Sequence, residues 1–382
     1  MNDENKISDN KISEEAKAQL EQYRDQIDAV DRRLIDAINE RAALVVEVGN
    51  LKRGSGIPIY APHREAAVLD KVQRLNKGPI SNITIEAVYR ELMSGSFALE
   101  QPIRIGYLGP VGTYSHLAAT RHFGSSVSFE DLRAIEGVFE EVARRHVDYG
   151  LVPIENSTGG GITETLDAFL TYHGEVNIYG EAQLAVHFCL LANCKPHQIK
   201  RIYSKSEAFL QCRNWLITQF PQAELIPSES TASAVRRAKD DNEAGDKTFG
   251  SAAIGSSLAG EIHGLHPLFE QIEDRQSNVT RFLILSKSEA EISGDDKTSI
   301  MFTSDDRPGS LVDVLNVFKR AGVNLTHIDK RPSKEENWDY TFFIDALGHA
   351  KDAAFAEVVG EARAHCKMLK VLGSFPRCKR SL

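Results

Sequence analysis

Cysteine is scarce in this 382-residue chain: Cys189, Cys194, Cys212, Cys366 and Cys378 make an odd count with no CxxC spacing. That pattern argues against a disulfide framework and a clustered zinc site, and a reducing cytoplasm suits it best. Long apolar runs are missing too. No window of about 18 uninterrupted apolar residues occurs, so no membrane span is expected. The opening stretch MNDENKISDNKISEE has neither a basic n-region nor an apolar h-region. It reads as a disordered tail over residues 1–15 rather than a secretory signal. Basic surplus is also absent: the formal charge of -9 repels nucleic acid and anionic membrane unless cations gather in a local pocket.

What is present is the composition of a soluble globular protein, 42% hydrophobic and 26% charged, in a chain too long for one core. Two or three domains are expected. From Ala16 to Leu51 apolar residues recur at helical spacing, Ile27, Val30, Leu34 and Ile38, then Leu44, Val45, Val48 and Leu51. Gly54, Ser55, Gly56 and Pro58 end that helix, a second opens near His63, and a third runs from Thr84 to Glu100. An all-helical segment over 16–101 would bury little core alone, so a homodimer or higher homo-oligomer is expected. After Gln101 and Pro102 short strands alternate with helices: RIGYLG, YGLVPIEN, VNIYGEAQLAVHFCLLA, IKRIYS and TRFLIL. This predicts an α/β domain over 103–287. A polar linker, SEAEISGDDK, leads to a βαββαβ order over 298–382, the ferredoxin-like α+β motif.

On an ideal helix Arg41 and Lys52, eleven residues apart, fall within about 20° of each other and roughly 16 Å apart along the axis. With Val45 and Val48 between them, they would flank an anion held inside a bundle. Arg24 lies elsewhere on the circumference and joins such a site only across a two-fold dimer. Ser96 and Glu100 share a face of the third helix, and Arg64 and Glu65 open the second. The same charges would also suit a solvated hairpin.

RDQIDAVDRRLIDAINERAALVVEVGNLK and HREAAVLDKV resemble the all-helical class of chorismate mutases over about 80 residues. The resemblance implies that Arg24, Arg41, Lys52, Arg64, Glu65, Ser96 and Glu100 bind chorismate. It also implies no cofactor, since a pericyclic rearrangement needs compression and charge placement rather than a nucleophile or metal. In the implied roles Arg24 and Arg41 grip the carboxylates, and Lys52 meets the negative charge that develops on the ether oxygen. Glu65 accepts from the ring hydroxyl, and Arg64 and Ser96 support the carboxylate end. Ala61 stands where the family often has an acid, which leaves hydroxyl recognition to Glu65. Glu100 stands where related bacterial mutases often have glutamine, and a carboxyl group donates only when protonated, so mutase rate is expected to rise as pH falls. Residues 1–102 are expected to work as a separate module.

Gly106, Gly109 and Gly112 follow a strand, with Glu130 or Asp131 about 20 residues on, and so imitate the dinucleotide site of an NAD-dependent prephenate dehydrogenase. The spacing is GxxGxxG rather than GxGxxG, and Pro110 occupies the turn, which argues against that alternative. Three junctions put hydroxyls at expected helix starts: Thr113 and Ser115, Ser157 and Thr158, Ser230 and Thr231. Such junctions suit a small dicarboxylate, although each is also an ordinary N-cap. In SNVTRFLIL, Thr280 and Phe282 point to one face and Arg281 to the other.

Together with GPVGTYSH, VPIEN, YSKSEAFLQC and IEDRQSN in order, that strand closely resembles prephenate dehydratase across roughly 185 residues. The resemblance implies a bilobed fold like type 2 periplasmic binding proteins, with Thr280 as catalytic threonine. It implies prephenate contacts from Thr113, Ser115, Asn156, Ser157 and Gln211. His116 reads either as a proton reservoir or as a helix-start histidine without chemistry, and Lys205 replaces a common histidine. RPGSLVDVLNVF and LTHIDKRP resemble the two effector motifs of ACT domains. They imply phenylalanine binding at Gly309, Leu311, Val312, Leu325 and Thr326, with Arg331 and Pro332 also matching. Asp329 and Lys330 depart from the usual glutamate-serine pair and leave the effector open, and a ligand-free dimerisation module is the alternative. The joint expectation is an enzyme converting chorismate to prephenate and prephenate to phenylpyruvate under phenylalanine feedback. The alternative is a non-catalytic amino-acid or keto-acid sensor, which would need neither Thr280 nor the cation set.

Overall fold

The computed structural model describes residues 14–53, 58–244, 250–275, 277–333, 340–379 and 381–382. All of the expected tail but Glu14 and Glu15, and the Gly54–Gly56 breaker, lie outside them. The chain divides into two compact units, Met1–Ile57 and Pro58–Leu382.

Among the described residues the first unit is one helix, α1 (Glu14–Arg53), opened by Glu14 and Glu15, whose charges suit a helix N-terminus. Its apolar stripe stays uncovered: Leu20, Tyr23, Ile27, Val30, Leu34 and Val48 are all exposed.

In the second unit α2 (Pro62–Leu75) starts on a proline whose missing N–H costs nothing there. The next helix, α3 (Asn82–Glu100), is capped by Ser81, whose Oγ accepts from the Thr84 N–H at 3.2 Å. Both helices dock on the α/β body. Tyr60 is 1% exposed and lies among the rings of Phe97, Phe123, Tyr149 and Tyr179, at centroid distances of 5.2 to 5.9 Å. Its hydroxyl meets His122 Nε2 at 2.7 Å and its carbonyl accepts from the Tyr179 hydroxyl at 2.8 Å. Ser94, fully buried, accepts from the Ser126 N–H at 3.0 Å. The expectation of an independent module over 1–102 therefore meets an obstacle: cutting after Pro102 would uncover Tyr60, Ser94 and Phe97, which bury surface against the body.

The first lobe comprises β1 (Arg104–Leu108), α4 (Tyr114–Phe123), β2 (Ser128–Leu132), α5 (Ile135–Ala143), β3 (Tyr149–Asn156), the two-residue β4 (Gly160–Gly161), α6 (Thr163–Tyr172) and β5 (Asn177–Ala185). The second comprises β6 (Cys189–Ala192), β7 (Ile199–Ser204), α7 (Ser206–Gln211), α8 (Arg213–Gln219), β8 (Glu224–Pro227), α9 (Thr231–Ala244), β9 (Gly250–Gly255), α10 (Ser257–His263) and β10 (His266–Phe269). The chain then returns to the first lobe as β11 (Val279–Ser286). The apolar run VNIYGEAQLAVHFCLLA, which reads as one strand, breaks at 186–188 and supplies β5 to one sheet and β6 to the other. A continuous strand would leave the second lobe without β6.

The sheets run β2-β1-β3-β11-β5 and β8-β7-β9-β6-β10, with β4 paired to β3. Each thus carries one strand sent across from the other lobe, β11 antiparallel to β3 and β5, and β6 antiparallel to β9 and β10. This doubled topology is the expected bilobed architecture.

The C-terminal domain is β12 (Asp296–Thr303), α11 (Ser310–Arg320), β13 (Leu325–Pro332), β14 (Tyr340–Leu347), α12 (Ala353–Arg363) and β15 (Met368–Pro376), in sheet order β13-β14-β12-β15. This is the predicted βαββαβ fold. One sheet face packs Ile300, Phe302 and Ile344 under α11 and α12. The other puts Met301, Phe343, Leu372 and Phe375 into the first lobe's core beside Leu166, Phe169 and Leu283. The domain and the lobe therefore share one hydrophobic core.

Candidate active sites

Strand pairing places Thr280 of β11 opposite Asn156 of β3, at the end where β3 leaves the sheet. Asn156 Nδ2 donates to Thr280 Oγ1 and to Asn278 Oδ1, both at 2.8 Å. Asn156 Oδ1 accepts from the Thr158 N–H at 3.0 Å, the Gly159 N–H at 2.9 Å and the Thr158 hydroxyl at 2.6 Å. Gln211, at the end of α7 in the second lobe, closes the ring. Its Nε2 donates to Thr158 Oγ1 at 3.0 Å and its Oε1 accepts from Asn278 Nδ2 at 2.6 Å. Every member is neutral. Because Thr280 Oγ1 accepts from an amide, its own proton is left to point at a ligand.

Sequence reasoning named Thr280, Asn156 and Gln211, placed Thr158 only among the hydroxyls at an expected helix start, and did not name Asn278. Asn278 ends IEDRQSN and Thr158 lies two residues beyond VPIEN, and only the three-dimensional ring joins them to Thr280. Ser157 turns elsewhere: its hydroxyl donates to the Ser277 carbonyl at 2.9 Å and accepts from the Val279 N–H at 2.9 Å, pinning the turn to β11. Ser157 and Thr158 do not begin a helix, since α6 starts at Thr163. The two other junctions do, and they converge. Thr113 caps α4, Ser230 Oγ accepts from the Ser233 N–H in the first turn of α9, and Ala232 and Ala259 close in on Gly112. Ser115, in the first turn of α4, is buried.

The glycine turn has a backbone reason for its composition. Gly112 has φ of +89° and would place a Cβ 3.3 Å from the Ala259 Cα. Close packing against Ala232 of α9 and Ala259 of α10 thus accounts for this glycine without a dinucleotide. His116 resolves toward its structural reading. Its Nδ1 accepts from the Gly112 N–H at 3.1 Å and its ring stacks on Tyr107 at 4.9 Å. Burial lowers its pKa, opposed by Asp131, so it is neutral near pH 7 and a poor proton reservoir. Lys205 pairs with Glu207 at 3.3 Å. The acidic run 270–274 is structural: Glu273 binds His187 at 2.7 Å, and Asp274 accepts from the Asn214 and Trp215 N–H groups that start α8.

The chorismate candidates are divided between the units, Arg24, Arg41 and Lys52 on α1, Arg64, Glu65, Ser96 and Glu100 on α2 and α3. Arg24 is exposed, 3.5 Å from Glu21. Arg64 is exposed at the start of α2. Ser96 is buried, its hydroxyl donating to the Leu92 carbonyl at 2.7 Å. Glu65 faces a cleft of about 360 Å³ with Tyr60, His63, Glu86 and Arg90. Burial pushes its pKa from 4.5 to about 7, against the pull of Arg90 and a hydrogen bond from Tyr60. Arg90 itself pairs with Glu86 at 2.9 Å. In the C-terminal domain Gly309 precedes α11 at φ +88° with open space where a Cβ would lie. Leu311 and Leu325 pack partly into the core, Val312 is exposed, and Thr326 lies 3.5 Å from the Asp345 carbonyl. No group of three or more acidic, histidine or cysteine side chains suited to a metal occurs among the described residues.

Three family models match in order along the chain: Chorismate mutase type II over residues 23–101, Prephenate dehydratase over 105–290 and ACT domain over 298–363. A bifunctional chorismate mutase/prephenate dehydratase of Stutzerimonas stutzeri is 42% identical over 366 residues, covering 94% of this chain and 98% of that protein. One from Aquifex aeolicus is 38% identical over 364 residues, with 94% and 98% covered. The structure of prephenate dehydratase from Arthrobacter aurescens in complex with L-Phe aligns at TM-score 0.66 and 34% identity, over 73% of this chain and 92% of that one. With both activities matched in order and nearly the full length aligned, the chain belongs to the bifunctional chorismate mutase/prephenate dehydratases, which rearrange chorismate to prephenate and convert prephenate to phenylpyruvate.

Proposed function

We propose that the dehydratase step takes place at Thr280 and that the hydrogen-bonded ring around it is its catalytic support. Prephenate must lose a ring hydroxyl and carbon dioxide, and one proton taken up converts the departing hydroxide to water. Thr280, with its oxygen already accepting from Asn156, donates its hydrogen bond to that leaving hydroxyl. The leaving carboxylate gains from being left unbonded. Gln211 carries the reading furthest, because it brings the second lobe onto Thr158 and Asn278 of the first. Thr113 and Ser115 bind the remaining carboxylate at the start of α4.

The mutase reaction belongs to residues 16–101, the dehydratase to 103–287 and the regulatory domain to 298–382. In the mutase Arg24, Arg41, Lys52, Arg64, Glu65, Ser96 and Glu100 bind chorismate, in a cytoplasmic homodimer completed by Arg24 across the two-fold axis. The exposed stripe of α1 supports the dimer, since Leu20, Ile27 and Leu34 have an apolar face to bury. Sedimentation equilibrium should return twice the chain mass, and a monomer active as a mutase removes the shared-site reading.

Phenylalanine is the proposed effector, at Gly309, Leu311, Val312, Leu325 and Thr326. Support comes from the L-Phe complex of the Arthrobacter aurescens dehydratase and from the open approach at Gly309. Replacing Gly309 with valine strains a left-handed backbone and fills that approach. Phenylalanine affinity should fall roughly tenfold or more, a loss on the order of 1.4 kcal/mol. Calorimetric titration checks it, and unchanged affinity places the effector elsewhere.

A further inference from the structure

The strand that carries Thr280 presents its next residue to the C-terminal domain. Arg281 alternates to the opposite face of β11, where its Nε donates to Glu181 Oε2 of β5 at 2.7 Å and its Nη2 lies 2.6 Å from Asp345 Oδ2 of β14. Lys297 of β12 reaches the same Glu181 oxygen at 3.0 Å and lies 4.0 Å from Asp345. Asp345 also accepts from the Ser299 hydroxyl, and Glu181 from the Cys378 N–H at 2.8 Å. The four side chains are 1 to 11% exposed, and two carry each sign. Two come from the dehydratase lobe and two from the regulatory domain.

A second set of contacts bears on the partner of Thr280. His327 Nδ1 of β13 lies 3.4 Å from Glu155, the residue before Asn156. Two residues on, Asp329 closes against Gly161, and two further, Arg331 grips Asp167 of α6 through Nε and Nη2 at 2.7 and 2.8 Å. The regulatory sheet therefore holds the immediate neighbours of both Asn156 and Thr280, the hydrogen-bonded pair.

We propose that Arg281 is a positioning residue for the dehydratase reaction, and that the quartet Arg281, Glu181, Lys297 and Asp345 fixes Thr280 from the regulatory domain. This rests on the reading that Thr280 stands at the reacting centre. Removing one charge from a buried neutral quartet leaves an uncompensated partner, and the strand relieves it by shifting. The shift moves Thr280 against the substrate, so turnover falls more than affinity.

The test uses the full-length chain with Asp345→Asn, which keeps shape and removes one charge, and Asp345→Asn/Lys297→Met, which restores neutrality. Dehydratase kcat and KM are measured with prephenate, and mutase activity is measured in the same preparations. Asp345→Asn should lower dehydratase kcat about tenfold or more, with KM within about twofold and the mutase rate unchanged. The double variant should recover most of the loss. Arg281→Lys should retain more kcat than Arg281→Met. Unchanged kcat in Asp345→Asn overturns the proposal, as does a double variant no better than the single one, or a parallel fall of mutase and dehydratase in every variant. Full dehydratase activity in Thr280→Ala would instead sink the underlying site reading, whatever Asp345 does.

Discussion

Thr280→Ala should lower dehydratase turnover by roughly 10²–10⁴-fold while leaving chorismate mutase turnover within about twofold. The size follows from what the hydroxyl does in the proposed reaction. Its proton is left to meet the departing oxygen, because Asn156 already donates to its own oxygen. Alanine removes the donor and keeps the strand. β11 is held by ladders to both β3 and β5, and Phe282 beside it is buried, so the backbone has little reason to move. Thr280→Ser keeps the donor but loses the methyl group that limits its rotamers, and should retain a substantial part of the rate. Steady-state assays with prephenate and, separately, chorismate check both variants. A dehydratase rate within tenfold of the parent in folded Thr280→Ala would remove Thr280 from the reacting centre.

The parts of this molecule legible in the sequence were those that local patterning specifies. The spacing from Ile27 to Leu51 called for α1, and the βαββαβ order is found between Asp296 and Pro376. Thr280, Asn156 and Gln211 were legible through motif order, and the structure joins them in one ring. What escaped depends on contacts between distant residues. Nothing local distinguishes Thr158 from Ser157, yet the turn sends one hydroxyl to Asn156 and the other to the backbone of β11. Tyr60 lies among Ile59, Ala61 and Pro62, a context that reads as connector, and only the fold shows three aromatic side chains from the α/β lobe gathered around it. Alternation put Arg281 on the face opposite Thr280, but its partners Glu181 and Asp345 are 100 and 64 residues away in opposite directions, beyond any pattern. The run from Val176 to Ala192 shows the same limit. Its hydrophobicity marks strand, and only the topology decides that it serves two sheets.

Glu65 should make the mutase reaction depend on pH, through a group that titrates near neutrality. Burial raises its pKa from 4.5 to about 7, with Arg90 and the Tyr60 hydrogen bond pulling the other way. In the proposed site its carboxylate accepts from the ring hydroxyl of chorismate, and Ala61 supplies no second acid. Protonation removes the charged acceptor, so through Glu65 mutase kcat/KM should fall about tenfold per unit below pH 7, opposite in sign to the rise expected from a donor at Glu100, and level off above it. The dehydratase profile should lack that limb. Glu65→Gln keeps a neutral acceptor at all pH values: its profile should lose the acidic fall between pH 6 and 8, with a rate at pH 8 lower by roughly tenfold, the worth of charge in one hydrogen bond. Stability should move the opposite way. Because the folded pKa lies above the unfolded one, the contribution of Glu65 is fully present below about pH 4.5 and is lost as pH rises through about 7. At pH 8 Glu65→Gln should therefore be more stable than the parent, by up to roughly 3 kcal/mol, and the gain should disappear near pH 4. Urea unfolding at the two pH values measures that difference. A parent mutase profile flat from pH 6 to 8, or a glutamine variant that keeps the acidic limb, would show that Glu65 does not bind the substrate hydroxyl.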